Sequence, residues 1–359
     1  MFKESYHVIG VMSGTSLDGI DLAHLYFSNK NGNWTYKIGI CQTIPYNSEW
    51  LNKLKITVHF SYKELEKLNQ DYTKYVGKII KQFIEINHFK EIDAVCSHGH
   101  TILHQPQKGI TLQIGNLPEI AKIIGEKVVC DFRVQDVKLG GQGAPLVPIG
   151  DRLLFSDYDF CLNLGGFSNI SFEENGERKA FDISPVNTVL NYYANQLGFD
   201  YDDKGEIARS GKVNQALLVE LNSIDFYKKK YPKSLGIEFV NSTIIPLINC
   251  FSISIEDKLH TFVEHIAIQI AMALSKKDGK MLVTGGGAYH LFLLERMKDY
   301  LPTMEIIVPD AKTLEFKEAL IFGLLGVLRL RNEINVLSSV TGAKNDHCSG
   351  MVYKPSYCR

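Results

Sequence analysis

Missing from this sequence is any surplus of one charge. Lysine and arginine number 39 against 40 aspartates and glutamates, a formal net charge of −1. No basic excess exists to neutralise a nucleic-acid backbone, so DNA and RNA are excluded as expected partners. Long apolar runs are missing too. No uninterrupted stretch approaches the roughly 20 residues a membrane helix needs, and the start MFKESYHVIGVMSG lacks the apolar core and cleavage site of a signal peptide. The seven cysteines (Cys41, Cys96, Cys130, Cys161, Cys250, Cys348, Cys358) are odd in number, scattered, and form no CxxC pair. Several stand in apolar strand-like runs, where cysteine behaves as a small hydrophobe. A reducing compartment follows, and the expected location is the cytoplasm. GxxxxGK[ST] is absent, which excludes a P-loop, and no GxGxxG opens a βαβ unit.

What is present is an ordinary globular composition, 45% hydrophobic and 22% charged over 359 residues, long enough for about two domains. Three strand candidates come first, YHVIGVM, IDLAHLYF and WTYKIGICQTI, the last two joined by the hairpin turn NKNGNW. The helical stretch YKELEKLNQDYTKYVGKIIKQFIEI follows, then IDAVCSHG as a strand entering a loop, then the strand EKVVCDF. The pattern restarts near residue 158 with YDFCLNLGG, SNISFEE and RKAFDIS, followed by the helix NTVLNYYANQLG. A helix KLHTFVEHIAIQIAMALSK and a strand GKMLVTGGG come later. The expectation is two α/β halves with a cleft between them and a boundary near Pro148–Ser156. Residues 1–150 make the first domain, with an apolar helix at about 314–340 free to pack back on it; 151–313 make the second, and 341–359 a polar, unpatterned tail.

Three Gly-rich turns end predicted strands: MSGTSLDG, NLGGFSN and VTGGGAYH. Glycine lets backbone N–H groups approach a phosphate, and hydroxyls add donors. The candidates for nucleotide contact are Ser13, Gly14, Thr15, Ser16, Asp18, Gly19 and Asp21, then Gly165 and Gly166, then Gly285, Gly286 and Gly287. Each turn taken alone also reads as a plain hairpin tip. Asp18 and Asp21 read either as turn and cap carboxylates or as groups that orient Mg²⁺ or its waters, Asp18 the better placed within the turn. Asp182, at the end of RKAFDIS, is either a turn residue before Ser-Pro or a general base leaving a buried strand. SHGHTILH groups His98, His100 and His104; a metal pair at HxxxH spacing and a polar substrate wall are both open. Arg133 can clamp a carboxylate or phosphate, or pair with Asp131 or Asp136, beside the ligand-facing loop GGQGAP.

GVMSGTSLDGID, SHGHTILHQP, TLQIGN, VVCDFR, GGQGAPLVP, LNLGGFSNI, VTGGGAYH and KEALIFGLL occur in the order found in the anhydro-N-acetylmuramic acid kinases, and the chain resembles that family over roughly residues 6–343. The resemblance implies two actin-like (ribonuclease H-like) α/β domains flanking an interdomain cleft. It implies an ATP- and Mg²⁺-dependent kinase of peptidoglycan recycling, active as a homodimer. The sugar 1,6-anhydro-N-acetylmuramic acid would be opened by water at C1 and phosphorylated on O6, giving N-acetylmuramate 6-phosphate and ADP. Asp182 matches the family's base, Gly14–Asp21 its ATP-phosphate segment with Asp18 on the Mg²⁺ side, and Gly285–Gly287 its nucleotide-side turn. His98, Thr101, Arg133 and Glu318 look like substrate contacts; Glu318 also reads as a first-turn helix acid favoured by the dipole. A kinase for another sugar and a non-catalytic nucleotide-binding regulator are the alternatives. The chain departs from the family pattern at His100, where glutamine is common, at Ser184-Pro185-Val186-Asn187 in place of a GPGN-type segment, and at Asp151, where histidine is common.

Overall fold

Alternating apolar residues and an Asn-Gly turn dictate the first strand block. β1 (Ser5–Ser13), β2 (Ile20–Lys30) and β3 (Asn33–Ile44) run antiparallel, with Lys30 opposite Asn33. The two-residue turn between them, Asn31 (φ 54) and Gly32 (φ 88), has both residues at positive φ, which matches the right-handed twist of the strands. The computed structural model describes residues 3–14, 17–57 and 60–355. In it the chain divides into two units, one running to Leu154 and resuming at Phe316, the other spanning Phe155–Glu315.

In the first unit β4 (Ala94–Gln105) lies parallel to β1, and β6 (Val128–Cys130) lies parallel to β4. The sheet order is β3-β2-β1-β4-β6, with β5 (Ile110–Ile114) on the far end of β4 and β12 (Met351–Tyr353) on β6. The helix Tyr62–Ile86, opened by a Ser61/Glu64 capping box, buries Leu65, Leu68, Tyr72, Val76, Ile80 and Phe83. The helix Ala311–Leu330, broken at Phe316 (φ −109), lies close against β1: a Cβ on Gly10 would stand 2.2 Å from the Ala319 carbonyl oxygen. Cover on both sides explains why β1 is buried nearly throughout.

The second unit repeats this plan. β7 (Phe160–Leu164), β8 (Phe167–Glu174) and β9 (Glu177–Pro185) are antiparallel, the last two joined by another Asn-Gly turn, Asn175 (φ 52) and Gly176 (φ 79). β10 (Gly279–Thr284) is parallel to β7, and β11 (Met304–Ile307) is parallel to β10. The order β9-β8-β7-β10-β11 is that of the first sheet with each strand replaced by its counterpart. The helix Ile255–Ala273 supplies Phe262, Val263, Ile266, Ala267 and Ile270 to the core.

Two sequence expectations are corrected. SHGHTILH is no loop and no helix: β4 runs through it to Gln105, because β5 folds back to supply ladder partners that the sequence does not announce. His100 and His104 therefore lie about 13 Å apart along extended chain, with His100 buried and His104 exposed, and they form no metal pair. The stretch from 341 is also structured as far as residue 355. Ser338–Thr341 forms a helical turn, Val336 bridges His347, and β12 completes the sheet edge. Its order comes from side-chain-to-backbone bonds, which leave no hydrophobic period to read: Asn335 Nδ2 donates to the Leu325 and Ser349 carbonyls (3.0 and 2.9 Å), and the Ser349 N–H donates to Asn335 Oδ1 (2.7 Å).

Candidate functional site

The second unit gathers two of the Gly-rich turns at the carboxyl ends of its central parallel strands, β7 and β10, where open α/β sheets carry ligands. Gly285 (φ 84) follows β10, and a Cβ there would lie 2.6 Å from Asn163 Oδ1 and 2.8 Å from the Leu164 carbonyl carbon. A Cβ on Gly287 would lie 2.7 Å from Leu164 Cβ. Only glycine permits this approach and this φ together. Gly165 and Gly166 turn β7 into β8 and offer their carbonyls to the start of the helix Asn187–Gln196: Val186 N–H and Thr188 Oγ1 donate to Gly166 O, each at 2.9 Å. Asn187 Nδ2 donates to Leu164 O at 3.4 Å and stands 3.6 Å from the Cβ position of Gly286. Gly165, Gly166, Gly285, Gly286 and Gly287 thus share one corner, bordered by the side chains of Asn163, Asn187 and Thr188.

Asp182 sits on β9 where the pairing with β8 slips: Asn169 faces Asp182 and Ser168 faces Ser184, so Ile183 is the extra residue of a bulge. Bulges re-aim side chains. The half-buried carboxylate accepts the Leu235 N–H on Oδ2 at 2.8 Å, while its own N–H donates to the Lys233 carbonyl at 3.1 Å. Burial raises its pKa above the usual aspartate range, and the Leu235 N–H pulls the other way. The supporting segment Lys233–Leu235 escaped sequence reasoning; its one local signal is the Pro- and Gly-flanked stretch PKSLG. Ser184 and Val186, two of the departures after Asp182, are fully buried, Ser184 exchanging hydrogen bonds with Ser168.

In the first unit Ser13 is 2% exposed, and its hydroxyl meets Tyr46 Oη (2.5 Å), Tyr72 Oη (2.8 Å) and His100 Nδ1 (3.0 Å). Burial lowers the His100 pKa to about 4, so the ring is neutral. The side chain expected at the phosphate is therefore bonded inside the unit, and Tyr46 and Tyr72, which anchor it, had no sequence signal beyond being aromatic. Gly14 and Gly19 flank the turn; a Cβ on Gly19 would stand 2.5 Å from the Ile44 carbonyl oxygen. Asp18 is exposed at the turn, and Thr15 and Ser16 lie outside the described residues. Asp21 is a strand residue opposite Thr43, whose hydroxyl donates to its carboxylate at 2.6 Å.

His98, 4% exposed, is no free substrate contact, because both ring nitrogens are engaged. Nδ1 bonds the Gly99 carbonyl (2.8 Å) and Nε2 accepts from Arg133 Nε (2.9 Å). Burial, then the Arg133 charge, holds its pKa well below the usual histidine range, which fixes a neutral ring with the proton on Nδ1. Arg133 also donates from Nη1 to the Gly143 carbonyl at 2.6 Å; burial brings its pKa to about 10, so it stays cationic at neutral pH. Thr101 is half-buried and accepts from Gln113 Nε2 at 3.3 Å. Glu318, in the first turn after the break at Phe316, remains solvent-accessible. Its crowded surroundings raise its pKa, opposed by Arg133, with Asp21 adding to the rise. The neighbouring Lys317 forms a buried ion pair with Asp151 at 2.8 Å. Arg133, His98, Asp21 and Glu318 are thus electrostatically linked; His104, exposed and bonded to Thr111 Oγ1, adds nothing here beyond its proximity to Arg133.

Two sheets that share one five-strand order, with glycine turns after β7 and β10 of the second, define the actin-like, ribonuclease H-like class of α/β proteins, to which sugar kinases belong. Residues 6–355 match the family model described as anhydro-N-acetylmuramic acid kinase. The chain belongs to that family. The anhydro-N-acetylmuramic acid kinase of Pseudomonas savastanoi pv. phaseolicola is 34% identical over 97% of this chain and 99% of its own length. That of Sulfurimonas denitrificans is 32% identical over 96% and 99%. Among solved structures, the activator of the 2-hydroxyisocaproyl-CoA dehydratase from Clostridium difficile with bound ADPNP is 14% identical over 89% of this chain and 94% of that one, with a TM-score of 0.41. Among the described residues no helix is long and apolar enough to cross a membrane.

Proposed function

We propose that this chain is an ATP-dependent kinase that opens the 1,6-anhydro ring of 1,6-anhydro-N-acetylmuramic acid with water and phosphorylates O6, releasing N-acetylmuramate 6-phosphate and ADP, in peptidoglycan recycling. The family match over residues 6–355 carries the reading. Asp182 is the base in this proposal. Its Oδ2 is held by Leu235, and its raised pKa makes it a better proton acceptor than an ordinary surface aspartate. It takes a proton from the water whose oxygen bonds to C1. The C1–O6 bond breaks, its electron pair passes to O6, and O6 bonds the γ-phosphorus as ADP leaves. Arg133, aimed by His98 and Gly143, is suited to the lactyl carboxylate or a sugar oxygen, with Thr101 and Glu318 as further sugar contacts.

The glycine corner at Gly165–Gly166 and Gly285–Gly287 and the turn Gly14–Gly19 would take the nucleotide phosphates. Mg²⁺ accompanying them needs only one or two carboxylates beside phosphate oxygens and water. Asp18, an exposed carboxylate within the first turn, fits that need, and Asp21 stands three residues further on with a hydrogen-bonded carboxylate. When bound, the ion neutralises phosphate charge. Six described cysteines are free, which supports a reducing, cytoplasmic setting; a homodimer is the expected assembly, read by light scattering.

The test is to mix the protein with Mg-ATP and 1,6-anhydro-N-acetylmuramic acid and weigh the sugar product. Gain of both phosphate and water is expected. ATP consumed with a different sugar only, or ATP bound with the anhydro-sugar unchanged, would overturn the reading in favour of another sugar kinase or a regulator.

A further inference from the structure

The segment 335–349, polar and without pattern, converges on the two sides of Arg133. Asp136 is fully buried, three residues beyond that arginine. Its Oδ1 accepts the Thr341 hydroxyl at 2.7 Å and lies 3.6 Å from His347 Nε2, and its Oδ2 accepts the Gly143 N–H at 2.6 Å. Gly143 in turn presents the carbonyl that receives Arg133 Nη1. Gly141 must lack a side chain, since a Cβ would stand 2.2 Å from Asp136 Oδ2. The backbone adds two ties: Gln142 N–H donates to the Thr341 carbonyl (2.8 Å), and Lys344 N–H donates to the Leu139 carbonyl (3.1 Å). On the other side of Arg133, the buried Ser349 hydroxyl donates to the carbonyl of Phe132 at 2.6 Å.

We infer that this C-terminal segment is a positioning element for sugar binding, with Thr341 acting through Asp136 and Gly143, and Ser349 through Phe132, to hold the Arg133 guanidinium in its binding direction. The inference rests on the proposed role of Arg133 toward the sugar. None of these residues need touch substrate. Their chemistry is that of a buried carboxylate whose hydrogen bonds fix a loop, and a charged acceptor strengthens each bond. A glycine-rich loop such as 140–143 has little stiffness of its own, so its direction is borrowed from what it is bonded to.

The experiment compares Thr341→Val, nearly isosteric but without the hydroxyl, with Thr341→Ser, which keeps it. Because a hydrogen bond to a charged group governs a factor of about ten or more, Thr341→Val is expected to raise the KM for the anhydro-sugar about tenfold. The KM for ATP and kcat should stay within about twofold of the parent, and Thr341→Ser should restore the sugar KM. Ser349→Ala gives the same readout from the other side of Arg133 if Thr341→Val does not fold. Unchanged sugar KM in both folded variants overturns the inference, as does a parallel loss in sugar KM, ATP KM and kcat. Arg133→Ala is measured alongside. If it raises sugar KM and the tail variants do not, only the tail's role fails; if none of them raises it, the assignment of Arg133 fails and the tail's role with it.

Discussion

At the scale of single residues, the chemistry turns on which polar side chains are committed inside and which are left to act. Ser13 and His98 are committed: one hydroxyl ties two tyrosines and a histidine, and one imidazole is fixed between a carbonyl and a guanidinium. Asp182 is held on one oxygen only, among the described residues, and burial raises its pKa. A carboxylate whose folded-state pKa lies above its unfolded value adds stability below the unfolded pKa and loses it as pH rises through the folded one. At neutral pH the ionised Asp182 is therefore a cost to the fold, while the same ionised form is the one the proposed role as base requires. Asp182→Asn is expected to lower kcat by about 10²–10⁴-fold with ATP binding retained and Tm equal to or above the parent's. For the parent, kcat/KM should fall with acidification through a pKa above the ordinary aspartate value as the base becomes protonated. Calorimetry and a pH–rate profile read both; a Tm that falls with the activity would make Asp182 a structural residue.

At the scale of elements, the helix Ala311–Leu330 shows what periodicity reveals and what it hides. Its apolar run was legible as a helix, as were the first three strands of each block, because burial on one or both faces forces a period on the sequence. The close seating was not legible. A Cβ on Gly326 would stand 2.1 Å from Cys96 Sγ, and one on Gly10 is blocked by the helix backbone, relations between residues far apart in sequence. The same blindness hid β5, paired to β4 by a backbone ladder, the ties of the tail, and the inward turn of His98, all of them relations that leave no period in the sequence. Nor did the sequence reveal that Asp151 finds its charge partner in Lys317, at the foot of the helix segment bearing Glu318. Both are buried, and breaking a buried ion pair from one side typically costs about 3–5 kcal/mol, whereas replacing both partners by apolar groups is often near neutral. Lys317→Met alone is expected to destabilise by that amount, and adding Asp151→Leu to recover most of it, as measured by denaturant midpoints. Equal losses in the single and double variants would mean that the pair itself contributes little.

At the scale of the whole molecule, one strand order is used twice with different endings, and each unit has a hydrophobic core of its own. The glycine corner of the second unit closes around Leu164, so the nucleotide binding proposed for it depends on that unit being folded. A ligand that binds only the folded state stabilises it by about 2.7 kcal/mol at 100 times its Kd, and for a unit of this size each kcal/mol moves Tm by roughly 2–4 °C. A non-hydrolysable ATP analogue with Mg²⁺, at that concentration and without sugar, should therefore raise the transition of the second unit by about 5–10 °C. Lys317→Met identifies the transitions in the scanning calorimeter, because its loss falls within the first unit. The transition left in place by that substitution is the one the nucleotide should move. A saturating analogue that leaves it where it was would remove Gly285–Gly287 from the nucleotide site, whatever the enzyme does with the sugar.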